Sequence, residues 1–292
     1  MTEIWQAKAE RGSAALIRLI VRLARLAGRR LCRLLLYPIV LYFLITDATA
    51  RRASREFLSA AHAKPARWSD VFAHLLWFAT TLLDRVYMAS GEFERFHVTI
   101  EGDALVRAAL HAGRGCVLLG SHLGSFDLLM LANQALANRP ISVLMERDPR
   151  SRLRAIAGID DSKLRVIALG RPDSFMRAYE VLEGGGIVAA LADRTGGAAQ
   201  LQSAFFGRPA AFPIGPHVLA ARAGAAVLMC FGLYEGGANY RIEFIDFGAA
   251  AARASRGAAL QPVVDRYASL LEQHARRTPK NWFNFYPYWG RH

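Results

Sequence analysis

One segment of the chain decides its predicted fold, GSHLGSFD at positions 120–127. An apolar run at residues 116–119 precedes it and another begins at Leu128. The pattern predicts a buried strand that leads through a turn of small residues into a helix. His122 would then lie where a strand ends, and in open α/β sheets the carboxyl ends of the strands are the usual place for ligands and chemistry.

A carboxylate follows His122 at a useful distance. Asp127 falls in the first turn of the predicted helix, where the helix dipole favours a negative charge. From there it can orient the imidazole through one ring nitrogen, so that the other nitrogen acts as a general base. No other histidine of the sequence has an acidic residue five positions later. A structural histidine could show the same spacing, and the position at a strand end is what favours catalysis.

The rest of the chain alternates apolar runs with helical stretches. This alternation predicts an α/β fold, with a mostly parallel central sheet flanked by helices and an N-terminal helical segment associated with a membrane. The residues between Gly197 and Pro213 are expected to form a loop. Besides the strand before His122, strands are predicted at residues 96–100, 141–145, 164–169, 186–191, 226–234 and 240–247, and helices at 213–223 and 260–277.

Charged residues follow three of the predicted strands. His122 and Asp127 follow the run at 116–119. Arg147 and Arg150 come after the strand at 141–145, and Asp193 and Arg194 come after the strand at 186–191. If these strands are parallel neighbours, their ends meet His122 at one edge of the sheet. A histidine base beside arginines suits the deprotonation of a hydroxyl close to a phosphate or a developing oxyanion. Solvated surface charges, or a turn cap in the case of Asp193, are the alternative interpretation.

Composition indicates an anionic partner and a reducing compartment. The net charge is +13, and residues 1–67 alone hold thirteen Lys or Arg against four Asp or Glu. An apolar content of 53% over 292 residues is enough for one substantial core. The three cysteines form no C-x-x-C pattern, so neither a disulfide framework nor a zinc site is indicated, and no metal or organic cofactor is expected.

The N-terminal segment has the pattern of a membrane-binding helix. Arginines recur every three or four residues between positions 18 and 33, and residues 34–45 form an apolar run that contains Pro38. This run is too short for a straight transmembrane helix, so a kinked helix inserted shallowly into an anionic membrane is expected. We expect residues 1–90 to be an anchor that is retained and residues 91–292 to be the catalytic domain. A basic helix face packed on the core is the alternative.

An ordered set of short motifs resembles the lysophospholipid acyltransferase superfamily. Most of the chain is similar to the lipid A late acyltransferases, the lauroyl and myristoyl transferases of Gram-negative envelopes. The matching motifs are GSH at 120–122 with Asp127, MER at 145–147, LADR at 191–194, FFGRPA at 205–210, LAARAGA at 219–225 and PKNWFNFY at 279–286.

The resemblance implies an O-acyltransferase at the cytoplasmic face of a Gram-negative inner membrane. Such enzymes move an acyl chain from a thioester, on acyl carrier protein or coenzyme A, to a hydroxyl of a membrane lipid such as a lipid A precursor. The family's base corresponds to His122 and its orienting carboxylate to Asp127. Substrate binding is expected from the strand-end charges at positions 147, 150, 193 and 194. Many lipid A enzymes have Glu in place of Asp127, and the aromatic tail differs from theirs, so another envelope lipid stays open as acceptor.

One other mechanism and three other functions are alternatives to this interpretation. Covalent catalysis would use Ser121 or Cys116 as the nucleophile. It is disfavoured for Ser121, because this serine stands one position too early for a G-x-S-x-G elbow. Nucleic-acid binding is disfavoured because the positive charge lies beside the most apolar run, not on a separate reading surface. A catalytically silent membrane scaffold and a hydrolase with the same base stay open.

Overall fold

The computed structural model describes residues 14–89, 91–125, 128, 140–146, 164–195, 199–248 and 260–289. These residues form two compact units. The described residues up to Phe96 and from Ala275 onward form the first unit, and those between His97 and His274 form the second. The division at residue 90 stays a prediction. The sequence did not indicate that the C-terminal residues group with the N-terminal helices.

Among its described residues the first unit contains the helices α1 (Ala14–Thr46), α2 (Ala48–His62) and α3 (Trp68–Ala89). Helix α1 is interrupted at Gly28, which has φ 74° and ψ 160°. Glycine reaches such a positive φ without the steric cost of a Cβ atom. Pro38, which the sequence indicated as the place of a kink, lies inside the helical part that follows.

The junction between α1 and α2 is capped from both sides. The Asp47 carboxylate accepts the N–H of Ala50 at 3.0 Å, and Arg51 donates to the carbonyls of Leu44 and Ile45 at 2.7 and 2.9 Å.

Within the described residues no single helix is long and apolar enough to cross a membrane. The part of α1 from Gly28 and helix α2 reach that length and composition together, with a bend of 95° between them.

One arginine of the predicted basic stripe is turned into the protein. Arg29 Nε and one of its terminal nitrogens each lie 2.7 Å from a carboxylate oxygen of Asp84, which is fully buried in α3. The guanidinium also lies 5.4 Å from the ring centroid of Phe96. A two-point Arg–carboxylate contact fixes the relative position of its two helices, and losing one partner would leave the other charge buried. Arg29 therefore holds α1 against α3.

A buried histidine joins α2, α3 and the C-terminal residues of the first unit. The carbonyl of Trp282 lies 3.0 Å from His74 Nε2 and can only accept, so Nε2 carries the hydrogen. Nδ1 then accepts the hydroxyl of Ser54 at 2.8 Å. Aromatic rings surround the imidazole, including Phe57 and Phe285 at 5.9 and 4.8 Å between centroids. Burial lowers the pKa of His74 to about 4, although the bond to Trp282 opposes that change.

This histidine gives a testable pH dependence of stability. The ring is neutral in the folded chain down to about pH 4, whereas in the unfolded chain it takes up a proton below about pH 6.5. Its contribution is therefore complete above about pH 6.5 and is lost as the pH falls toward 4, about 2 kcal/mol of it by about pH 5. We expect thermal unfolding between pH 7.5 and 5, roughly the window set by these pKa values, to show a smaller decrease in Tm for His74→Gln than for wild type.

Two controls define that experiment. The exposed His62 is the matched site, and His62→Gln should keep the wild-type pH dependence. Burial also lowers the pKa of His217, in the second unit, to about 4, so part of the dependence should persist in His74→Gln. Equal decreases in Tm for His74→Gln and His62→Gln would contradict this account.

The second unit contains a seven-stranded sheet. Its strands are β1 (His97–Glu101), β2 (Cys116–Gly120), β3 (Ile141–Glu146), β4 (Leu164–Leu169), β5 (Ile187–Leu191), β8 (Ala226–Gly236) and β9 (Asn239–Asp246). They lie in the order β1-β9-β8-β2-β5-β3-β4. Five neighbouring strands, from β8 to β4, are mutually parallel, while β9 is antiparallel to β8 and β1 is parallel to β9. The prediction of a mostly parallel α/β sheet is confirmed.

Helices flank this sheet, and a separate hairpin accompanies it. The helices are α4 (Asp103–His111), α5 (Ser174–Glu183), α6 (Gly215–Ala223) and α7 (Gln261–Arg277). Strands β6 (Gln200–Phe205) and β7 (Arg208–Pro213) pair as an antiparallel hairpin where the sequence indicated a loop.

The hairpin escaped the sequence interpretation because of its turn. Phe206 and Gly207 both have positive φ, 53° and 73°, as a two-residue type I′ turn requires. The usual signal for that turn is Asn-Gly or Asp-Gly, and a phenylalanine at its first position gives no such signal. The backbone N–H of Phe206 donates to the carboxylate of Glu272 on α7, which holds the turn in place.

Candidate active site

The geometry of the site starts with strand β2, the middle strand of the seven-stranded sheet. All five of its residues are buried, and it pairs with β8 on one side and β5 on the other. Gly120, its last residue, lies opposite Leu191, the last residue of β5. Because the two strands are parallel and in register, residue 122 and residue 193 emerge side by side at the same edge.

His122 and Asp193 form a two-point contact at this edge. One carboxylate oxygen of Asp193 lies 2.9 Å from His122 Nδ1, and the other accepts the backbone N–H of His122 at 3.0 Å. The Asp193 side chain is 1% exposed and that of His122 is 27% exposed. The carboxylate thus lies behind a histidine that reaches toward the surface of the second unit.

The charge of Asp193 fixes the proton on the ring. Burial by itself would raise the pKa of this carboxyl, but His122 and the Arg194 guanidinium lower it to about 2. The group is therefore an anion at neutral pH and can only accept, so Nδ1 of His122 carries a hydrogen and donates it. In the neutral ring Nε2 is then the basic nitrogen, which is the arrangement of a general base oriented by a carboxylate.

The turn that carries His122 is held by an unusually close backbone approach. Gly124 and Gly232 form a bridge between the segment after β2 and strand β8, and the N–H of Ser125 donates to the carbonyl of Gly232 at 2.7 Å. A Cβ atom built on Gly124 would lie 2.0 Å from that carbonyl oxygen, and Gly124 has φ 84°. Glycine is thus required at position 124 both by space and by backbone conformation.

The two alternative nucleophiles have other surroundings. Ser121 is buried, and its hydroxyl oxygen accepts the N–H of Leu123 at 3.1 Å within the turn. Cys116 is fully buried in β2, and burial raises the pKa of its thiol to about 12. A protonated thiol within the core is a poor nucleophile. These surroundings favour neither side chain as a nucleophile.

Of the six residues predicted for the site, the structure brings three together. His122, Asp193 and Arg194 lie at the ends of β2 and β5, and β3 is the next strand beyond β5. Arg194 is half-buried beside Asp193 and acts on its charge. Asp127, Arg147 and Arg150 lie outside the described residues, so their roles stay predictions.

Sequence reasoning missed the direct contact between His122 and Asp193. The two residues are 71 positions apart, and only the pairing of β2 with β5 brings them together. The available signal was that each polar side chain closely follows a predicted strand: His122 comes three residues after the run at 116–119, and Asp193 comes two residues after the strand at 186–191. Within the described residues no three His, Cys, Asp or Glu side chains are placed to hold a metal ion.

Comparison with known proteins assigns the chain to a family. The model of the bacterial lipid A biosynthesis acyltransferases matches residues 78–291. The match spans the second unit completely, including the end of β2 and the end of β5, and continues into the C-terminal residues. No curated protein matches the chain. Since the matched segment is well over half of the sequence, the chain belongs to the bacterial lipid A biosynthesis acyltransferase family and is an acyltransferase.

Proposed function

We propose that this protein transfers a fatty acyl chain from a thioester, on acyl carrier protein or coenzyme A, to a hydroxyl of a lipid A precursor. His122 is the general base of the reaction. The observation that supports this most directly is the contact of His122 Nδ1 with the buried, ionised Asp193 at the carboxyl end of the central strands. That arrangement makes Nε2 the basic nitrogen on a side chain that is partly exposed.

The proposed reaction has two proton transfers and one covalent exchange. His122 Nε2 accepts the proton of the acceptor hydroxyl as its oxygen attacks the thioester carbonyl. The tetrahedral intermediate then expels the thiolate, and the imidazolium returns the proton to the departing sulfur. The carbon–oxygen bond of the new ester replaces the carbon–sulfur bond of the thioester, with no net change in protons. Asp193 stabilises the imidazolium that exists between the two transfers.

The other residues predicted for the site complete this proposal. Asp127 would be a second carboxylate acting on the imidazole from the predicted helix after the turn. Arg147, Arg150 and Arg194 would bind the phosphate of the acceptor or donor, or the negative charge that develops on the thioester oxygen. Arg194 has the strongest support among them, because its charge already acts on Asp193.

Attachment to a membrane is the second element of the proposal. The part of α1 after Gly28 exposes a large apolar surface, of which Leu34 and Ile45 are 63% and 66% exposed. Soluble proteins rarely leave so many large apolar side chains in water. Exposed arginines at positions 30, 52 and 55 add charges that favour an anionic surface. The cytoplasmic face of the inner membrane offers both that surface and the thioester donors. The other large apolar residues in this part of α1 with more than two-fifths exposure are Leu31, Leu35, Tyr37, Ile39, Leu41, Tyr42 and Phe43.

Lipid mass spectrometry of cells tests the proposed reaction. A Gram-negative host without the gene would express wild type, His122→Ala, or His111→Ala as the matched control at an exposed histidine of the same unit. We expect a lipid heavier by one acyl group with wild type and His111→Ala, and at least about a tenfold reduction with His122→Ala. The fragments identify the acceptor and so distinguish a lipid A precursor from another envelope lipid.

Each other outcome contradicts a defined part of the proposal. An unchanged lipid profile with wild-type protein present would contradict acyl transfer to lipids of that host. Equal product from His122→Ala and wild type would contradict the role of the base while leaving the reaction in place.

Membrane and soluble fractions of the same cells test the attachment to the membrane. Leu34→Lys combined with Ile45→Lys should shift the protein to the soluble fraction, and an unchanged distribution would contradict insertion of this apolar face.

A further inference from the structure

A buried tyrosine contacts the strand end that carries His122. Tyr267 on α7 is fully buried, and its hydroxyl lies 2.8 Å from the carbonyl oxygen of Gly120. A carbonyl can only accept, so the phenol donates. Gly120 is the last residue of β2, and only Ser121 separates it from His122.

The same carbonyl joins both halves of the His122–Asp193 contact. Gly120 O also accepts the backbone N–H of Ala192 at 3.1 Å. Ala192 directly precedes Asp193 and directly follows the last residue of β5, the strand next to β2. Three elements therefore meet at one oxygen: the segment that carries the base, the segment that carries its carboxylate, and helix α7.

The position of the phenol is fixed by its surroundings. The ring of Tyr267 lies edge-on to those of Phe212 and His217, with centroids 5.8 and 5.7 Å away. Val264, Ala268 and Leu271, on the same face of α7, are also buried without exposure. The hydroxyl thus reaches Gly120 from a well-packed helix and not from a mobile side chain.

We propose that Tyr267 is a positioning residue for acyl transfer. By holding the Gly120 carbonyl it fixes the end of β2 against β5, and so keeps the His122 imidazole aligned with Asp193. This inference rests on the proposed role of His122 as base. It assigns a function to a side chain that belongs to none of the sequence motifs above.

Removal of one hydroxyl tests the proposal. Tyr267→Phe keeps the ring and leaves Gly120 O its bond from Ala192, so the fold should persist. Tyr234→Phe is the matched control: Tyr234 is 2% exposed and its hydroxyl donates to the carbonyl of Gly237 at 3.3 Å, in the β8–β9 turn. We expect kcat of Tyr267→Phe to fall about three- to tenfold with little change in KM, and Tyr234→Phe to keep wild-type kinetics.

The pH profile provides a readout that a purely structural role would not move. A loosened contact with Asp193 stabilises the imidazolium less, so the acidic limb of kcat against pH should move to lower pH in Tyr267→Phe. The control should keep the wild-type limb. Thermal unfolding of both variants shows whether they have lost similar stability, as removal of a buried hydroxyl in each predicts.

The possible failures are distinguishable. If His122→Ala abolishes transfer while Tyr267→Phe and Tyr234→Phe give the same kcat and the same pH profile, the positioning role is wrong and the base is retained. If His122→Ala keeps wild-type kcat, the proposed function itself fails. If Tyr267→Phe does not fold, Tyr267→Met, which keeps an apolar side chain without the donor, replaces it, and the same kinetic comparison decides.

Discussion

Asp193→Asn should transfer acyl groups about 10³-fold more slowly than wild type, with little loss of stability. The amide has the shape of the carboxylate and can still accept one N–H of His122. It cannot accept both N–H groups of His122, and its oxygen carries no full negative charge. Its NH₂ group would either point at the hydrogen on Nδ1 of His122 or force that hydrogen onto Nε2. The neutral side chain also leaves the imidazolium of the proposed mechanism without its buried counter-charge.

The measurement is kcat on purified enzyme together with Tm. Asp265→Asn is the matched control, because the Asp265 carboxylate also accepts two hydrogen bonds within the same unit, from the side chains of Ser203 at 2.7 Å and Gln261 at 2.8 Å. We expect this control to keep activity. A loss of less than about tenfold in Asp193→Asn would show that the carboxylate is not needed for catalysis.

Asp127→Asn in the same series separates the two carboxylates. If Asp127 also orients the imidazole, as the motif predicts, its replacement should lower kcat and the double replacement should cost less than the product of the two single effects, since both act on one ring. If Asp193 alone orients His122, Asp127→Asn should keep most of the activity.

The strands that carry the site could be predicted because each is short, apolar and followed by polar or small residues. The runs at 116–119, 141–145 and 186–191 fall within β2, β3 and β5 or differ at an end by one residue, and they are parallel neighbours as expected. His122 was found because it follows such a run. In a parallel sheet, a polar residue that follows an apolar run also lies at the edge of the sheet where the carboxyl ends of the strands meet.

What the sequence did not indicate depends on contacts between distant segments. Asp193 meets His122 through strand pairing, Tyr267 meets Gly120 through the packing of α7, and Gly232 meets Gly124 across β8. The last two contacts have no local signature, because a glycine or tyrosine within an apolar strand or helix shows the same sequence pattern whatever it contacts. Arg29 shows the same limit, since helical spacing groups it with the other arginines of the predicted basic stripe, but its contact with Asp84 turns it inward.

The close approach of Gly124 and Gly232 predicts the largest effect on stability. A Cβ atom on Gly124 would lie 2.0 Å from the Gly232 carbonyl oxygen, a backbone atom that cannot move without breaking its bond from the Ser125 N–H. Gly124→Ala adds this clash to the cost of a positive φ, so we expect a loss of about 3 kcal/mol or more in the free energy of unfolding. The turn that carries His122 should be displaced with it.

Two further glycines of the same unit separate the effect of the steric clash from the effect of the positive φ. Gly232→Ala would have the clash alone, since its Cβ atom would lie 2.4 Å from the Ser125 carbonyl oxygen and no positive φ is involved. Gly170→Ala would have the positive φ alone, 86°, with nothing within 4 Å of the added atom, and should cost about 1 kcal/mol. Urea unfolding of the three variants should therefore rank Gly124→Ala as the least stable and Gly170→Ala as the most stable. If Gly124→Ala loses no more than Gly170→Ala, the segment after β2 does not lie against β8, and the position deduced for His122 must be revised.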